Sequence, residues 1–356
     1  MIEKLTLKNF RNFDNSEFFF SAKKNIIIGE NWVWKTNILL AISLFSRNNL
    51  TNIKFENIVN FWKQIFYIET NTENKLAISY DKKENKKQYI LNNKKINKNN
   101  FLKNAFLTVN FSPMTMNLLY LSPSIRRDFL DEILINSFDD YSKLLQEYKK
   151  ILISRNKILK NIKEWNSVKN ELNFWNTEFI KYSSFIYFYR FGIVDFFTKN
   201  IKEQKQFFFG KIENIDFYYK TKIINKFFEN KSDKINFLQK QIWQNLEKKE
   251  EVDIITWTTN FGPHLDDFTI IINNEINIIN FASRWEIKSL IISLKIMEID
   301  FIEKYKQKKP ILLIDDLLSE LDNEHKDLLL KKINNYQSFI TSIRKDYNWD
   351  WHFIEL

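Results

Sequence analysis

The chain has 356 residues, 44% of them hydrophobic, enough to bury a full core and to make one large or two ordinary domains. It has no cysteine, which excludes disulfides and thiolate metal sites, and its three histidines are too scattered for a metal cage. A formal net charge of +10 favours a polyanionic partner, because such a field draws in phosphate backbones. The opening run MIEKLTLKNFRNF alternates apolar and charged residues, unlike a secretory segment, and no stretch reaches about 18 uninterrupted apolar residues. A cytoplasmic location with no membrane partner is therefore expected. Composition is skewed as well: Gly occurs 4 times and Trp 10 times, whereas average usage would make Gly roughly 7%. The excess of Lys, Asn, Ile and Phe is the bias of an AT-rich coding sequence.

In chain order, residues 2–10 alternate with a strand period and end at Arg11-Asn12, and a second strand is expected at 17–20. The apolar run Ile26 to Ile28 reads as a buried strand and 38–45 as a helix, so GENWVWKT between them is a strand-to-helix loop. In the phosphate loop G-x-x-x-x-G-K-[ST], backbone N–H groups wrap the phosphates, the lysine neutralises them, and the hydroxyl holds Mg2+. Gly29, Lys35, Thr36 and the following Asn37 fit this pattern; Trp34 stands where the loop needs a glycine, and Trp32 adds a second indole. As written, the loop is blocked. With so few glycines and so many tryptophans, the hypothesis is that some Trp are UGA codons which the source organism decodes as glycine.

Strands at 66–68, 76–80 and 88–91 form a meander with a solvated turn at Lys82 to Lys87, and another strand spans 106–111. Ser112-Pro113 and Ser122-Pro123 read as helix starts with proline at the first helical position. The second helix has Phe129, Ile133 and Leu134 on its apolar face and Arg126 and Arg127 in its first turns. Periodic helical segments follow at 141–163, 170–200 and 231–248, with a strand at Ile212 to Tyr219 between the last two. Strands are expected at Ile254 to Thr259, within FGPHLDDFTIIINN and at Glu275 to Asn280, then a helix at 286–304. ILLIDD is a buried strand delivering Asp315 and Asp316 at its C-terminal end, where parallel sheets bind ligands. A helix at 323–335 and a strand at 338–343 close the chain. The expected layout is an α/β head of residues 1–113 with 254–356, built on a mixed sheet, and an inserted compact helical lobe of residues 114–250.

The order of these pieces is that of the ATP-binding-cassette heads of the SMC class. With LKNFRNF, GENxxxKTN, SPSIRRDFLD, GPHLDD, SRxE and ILLIDDLLSELD in register, the chain resembles the RecF family of bacterial recombination mediators. The resemblance covers nearly the whole length and is weakest between 195 and 250. It implies a P-loop NTPase that binds ATP and Mg2+ and forms a homodimer on ATP. The nucleotide would be held by Arg11, Asn12, Gly29, Glu30, Asn31, Trp32, Val33, Trp34, Lys35, Thr36 and Asn37. Thr36 and Asp315 would hold Mg2+, and Asp316 would polarise the attacking water as general base. Ser283, Arg284, Trp285 and Glu286 would be the signature loop that reaches the opposite subunit's ATP through a helix N-terminus. Ser319, Glu320, Leu321 and Asp322 would cross the dimer interface. ATP would then act as glue between subunits, released by slow hydrolysis.

The chain departs from the family pattern at Trp285, Trp32, Trp34 and Trp257, all glycine positions in the family, and at Trp62; Leu265 stands where the family shows Arg. Trp175, in the helical FWNTEF, reads as a true core tryptophan. His264 reads either as functional or as a hydrogen-bonded structural histidine. Arg126 and Arg127 read as a nucleic-acid or interface contact or as a solvated helix face, and Asp266-Asp267 as a metal site or a turn. The resemblance implies an ATP-dependent protein of DNA replication and recombinational repair, acting on single-stranded and gapped or duplex DNA and helping to load a recombinase. RecO-like and RecR-like mediators would be its partners, and with glycine at 32, 34 and 285 it would be a weak DNA-dependent ATPase. The alternative is a nucleotide-dead DNA-binding scaffold, its loop closed by Trp32 and Trp34.

Overall fold

The computed structural model describes residues 1–29, 34–47, 54–203, 214–272, 276–342 and 351–356. The chain divides into two compact units: Met1–Asn117 with Glu298–Leu356, and Leu118–Met297.

In the first unit the alternating N-terminal segment forms a hairpin of β1 (Lys4–Phe10) and β2 (Phe13–Phe19), with Phe10 opposite Phe13. Strands β4 (Ile65–Asn71), β5 (Lys75–Asp81), β6 (Lys86–Leu91) and β7 (Lys94–Ile96) extend it into an antiparallel sheet of order β2-β1-β4-β5-β6-β7. The solvated turn at 82–87 is the β5–β6 connection, where the Asp81 carboxylate accepts from the Lys83 and Glu84 amides. After β7 comes a short helix, α2 (Lys98–Asn104), capped by Asn97 accepting from the Asn100 amide.

A second sheet is parallel throughout. Its strands are β3 (Lys24–Ile28), β8 (Thr108–Phe111), β12 (Ile311–Ile314), β13 (Ser338–Ser342) and β14 (His352–Glu355), in the order β14-β3-β13-β12-β8. All four residues of β12 are buried, as expected of a continuous apolar run in a parallel sheet. Register aligns Ser342 with Ile28 and Ile314 with Phe111, so these strands end along one edge. Helix α1 (Trp34–Ser43) buries Ile38, Ala41 and Ile42 in one core with Leu5, Leu7 and Phe66 of the antiparallel sheet and Ile27, Leu313 and Phe339 of the parallel one. Truncating one of these large residues to alanine costs about 2–5 kcal/mol. Ser112-Pro113 leads only into a short 3-10 turn at Thr115–Asn117, because Ser112 and Thr115 bond each other's backbone instead of extending a helix.

The second unit is helical with a small sheet. Helix α3 (Pro123–Ser137) starts at the Ser122-Pro123 signal, with proline at its first turn. Helices α4 (Tyr141–Lys163), α5 (Glu171–Asn200) and α6 (Lys231–Thr256) match the three periodic segments. The Ile254–Thr259 strand expectation fails: α6 continues to Thr256, its Asp253 carboxylate held by Arg155 Nη1 at 2.9 Å. The strand suspected near 212–219 is β9 (Ile215–Lys220), paired antiparallel with β10 (Asp267–Ile272), which pairs in turn with β11 (Ile276–Asn277). The strand expected at 275–280 is thus reduced to β11, since the turn α7 (Ile278–Phe281) follows at once. Because β10 pairs with β9, residues up to Met297 group with the inserted lobe, whereas the sequence-based layout carried 254–356 with the head. Two arginines fix the lobe's interior. Arg190 bonds both Asp131 oxygens at 3.0 Å, and fully buried Arg155 bonds Asp253 and Thr259.

Candidate functional site

The candidate site of the first unit lies at the aligned ends of β3, β13 and β12. β3 ends at Ile28, Gly29 follows, and α1 begins at Trp34, so the strand-loop-helix context required of a phosphate loop is present. Glu30, Asn31, Trp32 and Val33 lie outside the described residues. Lys35 is 5% exposed, and its ammonium donates to the carbonyls of Gly29 (3.0 Å) and Ser342 (3.3 Å). Among the described residues it has no carboxylate partner. Its charge is thus met, among those residues, by carbonyl dipoles alone, and desolvating a charge without a counter-charge is costly.

The next residue, Thr36, is exposed and places Oγ1 3.1 Å from both carboxylate oxygens of Asp315, which follows β12. Sequence separation between the two is 279 residues, and the parallel sheet closes it. Thr341, at the end of β13, was not singled out by sequence. Its hydroxyl donates to Asp315 Oδ1 (2.8 Å) and accepts from the Asp316 amide (2.8 Å), orienting both acids. The only signal for it is its place near the end of a strand parallel to ILLI. Asp316 adopts a left-handed conformation, φ 49°, before the 3-10 turn Leu317–Glu320. For a non-glycine residue this is a strained backbone of the kind that collects at functional sites. On the opposite flank Asn37 Nδ2 donates to Asn12 Oδ1 (2.6 Å), while the buried Nδ2 of Asn12 has no partner among the described residues. Arg11, Asn12, Asn37, Asn57, Phe61 and Trp62 line a cavity of about 560 Å3.

The remaining site residues have other local roles. Ser283 and Glu286 form a capping box at the start of α8 (Arg284–Lys306): the Glu286 carboxylate accepts from the Ser283 amide (2.7 Å) and hydroxyl (2.8 Å), and Ser283 Oγ accepts from the Glu286 amide. Trp285 is 47% exposed, with the Lys288 ammonium over its ring. Asp322 caps α9 (Asn323–Lys332), accepting from the His325 amide and ring, and Leu321 is buried. The side chains of Ser319 and Glu320 lie outside the described residues.

Residues of the second unit that suggested chemistry are structural. Arg126 Nε and Nη2 donate to the two oxygens of Asp267 at 2.6 and 2.8 Å, and half-buried Arg127 donates to the Asp266 carbonyl, so Arg126 is held in an ion pair rather than on a solvated face. His264 donates through Nε2 to the Thr259 carbonyl, which fixes Nδ1 as acceptor from Tyr148 Oη at 2.6 Å. Burial pulls its pKa down to about 4, aided by the positive charges of Arg127, Arg190 and Arg155. Burial pushes Asp266 up to about 6 against the pull of Arg190 and Tyr219. No group of three or more His, Cys, Asp or Glu able to hold a metal occurs among the described residues.

The tryptophans are placed anomalously. None of those described is buried, and Trp34, Trp62, Trp165, Trp243, Trp257 and Trp285 are between 45% and 94% exposed, although the indole is highly buried on average. Trp175 is half-buried beside Phe174 and not in the core as its sequence context suggested. Trp165 and Trp257 sit at helix ends with φ of 60° and 59°, the conformation that favours glycine. Trp34 opens α1 with its ring edge-on to Phe13.

No family model matches the chain. It is 32% identical to the DNA replication and repair protein RecF of Thermoanaerobacter pseudethanolicus over 354 residues, 97% of this chain and 95% of that one. The protein of the same name from Ruminiclostridium cellulolyticum is 32% identical, covering 98% and 94%. That from Clostridium botulinum is 33% identical, covering 96% and 92%. Among solved structures, the recombination mediator protein RecF with ATP superposes with a TM-score of 0.84 at 26% identity, covering 98% of this chain and 94% of that one. A second RecF structure, with ATPrS, gives 0.86 at 26% identity, covering 100% and 96%.

Proposed function

This chain belongs to the RecF family of DNA replication and repair proteins, and we propose that it is an ATP-dependent DNA-binding protein of recombinational repair. The observation that carries this is the meeting of Lys35, Thr36 and Asp315 at one end of the parallel sheet, with Thr36 and Asp315 3.1 Å apart. Lys35 would neutralise the terminal phosphates. Thr36 and Asp315 are hard oxygen donors of the kind Mg2+ accepts, two protein ligands completed by phosphate and water; the ion would draw charge from the phosphates as they transfer. Asp316 would orient the attacking water. Arg11, Asn12 and Asn37, beside the 560 Å3 cavity, would hold the rest of the nucleotide, with Asn12 Nδ2 supplying a free donor. The solved relatives carry ATP or ATPrS, in keeping with this assignment.

The signature loop 283–286 and the loop 319–322 would join two subunits across ATP, and RecO-like and RecR-like mediators would follow the dimer onto gapped DNA. We propose a cytoplasmic location; among the described residues no helix is long and apolar enough to cross a membrane. Glycine at 32, 34 and 285 is part of the proposal, because an indole cannot serve where the loop must approach phosphate. The competing scaffold reading rests on Trp34 as an indole packed on Phe13. DNA affinity measured with and without ATP separates them. The glycine form binds more tightly with ATP, and ATP independence of that form would support the scaffold.

A further inference from the structure

Charge in the second unit is concentrated on one helix. α4 carries six lysines and one arginine against a single acid, Glu147. Its neighbours α5 and α6, from the same lysine-rich sequence, are each neutral, with three bases and three acids in α5 and five of each in α6. Coding bias raises lysine everywhere and does not explain this contrast. Helix stability does not explain it either: α4 has no acid in its first turn and places Lys143 there, against the helix dipole.

The lysines are also ordered. Lys143, Lys150 and Lys157 recur every seven residues along one exposed stripe, about 21 Å long at 1.5 Å per residue, and Lys160 extends it by almost a turn. Ile153, 69% exposed, lies between them. Lys150 and Lys160 make only surface pairs with Glu147 (2.8 Å) and Glu164 (3.7 Å), and among the described residues Lys143 and Lys157 have no acidic partner. The arginine of the helix, Arg155, is turned inward onto Asp253 and takes no part. Within α4 itself no aromatic side chain is exposed, Tyr141 and Tyr148 being buried, and Tyr182 and Phe185 of α5, which line a cavity with Lys143, are half-buried. Single-strand binders interleave basic groups with aromatic platforms for bases, whereas a bare row of ammonium groups matches the closely spaced phosphates of a duplex.

We propose that the Lys143-Lys150-Lys157-Lys160 face of α4 docks on the phosphate backbone of duplex DNA, without reading sequence. The proposal rests on the DNA-binding reading above and is independent of the nucleotide site. Its test is fluorescence anisotropy, in saturating Mg-ATP, of the chain carrying glycine at 32, 34 and 285, with a duplex of about 30 base pairs and with its single strand, over a range of salt. Three proteins are compared: that glycine form as the parent, the same with K143Q/K150Q/K157Q/K160Q, and a control with as many lysines removed from α6, K231Q/K240Q/K248Q/K249Q. The parent and control bind duplex alike. The α4 variant, with an unchanged melting temperature, loses at least about tenfold in affinity, and its log–log salt slope shrinks by about three to four, near 0.9 per phosphate contact. An Arg quadruple variant at the α4 positions restores binding. Equal losses in the α4 and α6 variants would reduce the effect to net charge and overturn the proposal. Unchanged binding by the α4 variant would overturn it while leaving the DNA reading intact, and a parent that binds no DNA would overturn both. Preference of the same face for single strands would overturn the duplex assignment.

Discussion

Arg126 grips both carboxylate oxygens of Asp267, 2.6 and 2.8 Å away across 141 residues, and so ties the start of α3 to the start of β10. Both side chains are largely buried, 11% and 16% exposed. Removing one partner leaves the other charge poorly solvated, so Asp267→Ala destabilises the protein by about 3 kcal/mol. Asp267→Ala in an Arg126→Met background costs much less, and a double-mutant cycle in denaturant measures the difference.

The helix ends at Trp165 and Trp257 predict a gain. At the end of α4 the Asn166 amide reaches the Asn161 carbonyl (2.9 Å) and the Trp165 amide that of Ile162 (3.1 Å), the paired bonds of a Schellman cap with Trp165 at its left-handed position. A side chain costs about 1 kcal/mol there. Trp165→Gly raises stability by about that amount, and Trp257→Gly does the same less the contact of its ring with Lys163 at 4.7 Å. Chemical denaturation reads both; a loss on Trp165→Gly contradicts the strain at that cap, and a loss on Trp257→Gly contradicts the glycine assignment at 257.

Much of this arrangement was legible because local signals agreed. Ser122-Pro123, the periodic segments 141–163 and 170–200 and the ILLI run each gave an element within a few residues of its observed bounds, whereas the segment 231–248 fell short of the end of α6 at Thr256. Legibility failed where long-range partners decide. The β-branched run at 254–259 favours a strand in isolation, but Arg155 holds Asp253 and α6 runs on. Arg126 and Arg127 look like surface bases until Asp267 and the Asp266 carbonyl arrive from 139 to 141 residues away. Thr341 carries no motif and matters only because β13 lies beside β12. Ser283 and Glu286 were read through the family resemblance, although S-x-x-E is also a local capping signal.

His264 and Asp266 oppose each other in acid. Between pH 6.5 and about 4 the unfolded chain protonates His264 and the folded one does not, so stability is lost as pH falls. Between about pH 6 and 3.8 the folded chain protonates Asp266 and the unfolded one does not, so stability is gained. His264→Gln removes the first effect, and the melting temperature then falls less, or rises, from pH 6.5 to 4.5 relative to the parent. Asp266→Asn removes the second and steepens the fall. Parallel melting profiles for all three proteins would contradict both assignments.

Ser283 has two separable roles to test. Ser283→Ala loses the cap of α8 and about 1 kcal/mol. Ser283→Asn keeps both a capping acceptor and a donor for the Glu286 carboxylate and restores stability, yet brings a bulkier side chain to a loop proposed to meet phosphate. In the glycine form it therefore recovers the melting temperature without recovering ATP-driven dimerisation by sedimentation. Recovery of both would leave the loop a purely structural role.

The most direct test of the account is ATP affinity measured on three proteins: the chain as written, the chain with glycine at 32, 34 and 285, and that glycine form with Lys35→Ala. The account predicts no measurable binding by the first, tight Mg-dependent binding by the second, and loss of binding by the third. Tight binding by the chain as written would contradict the steric argument at Trp34, and failure of the glycine form to bind would contradict the nucleotide site itself.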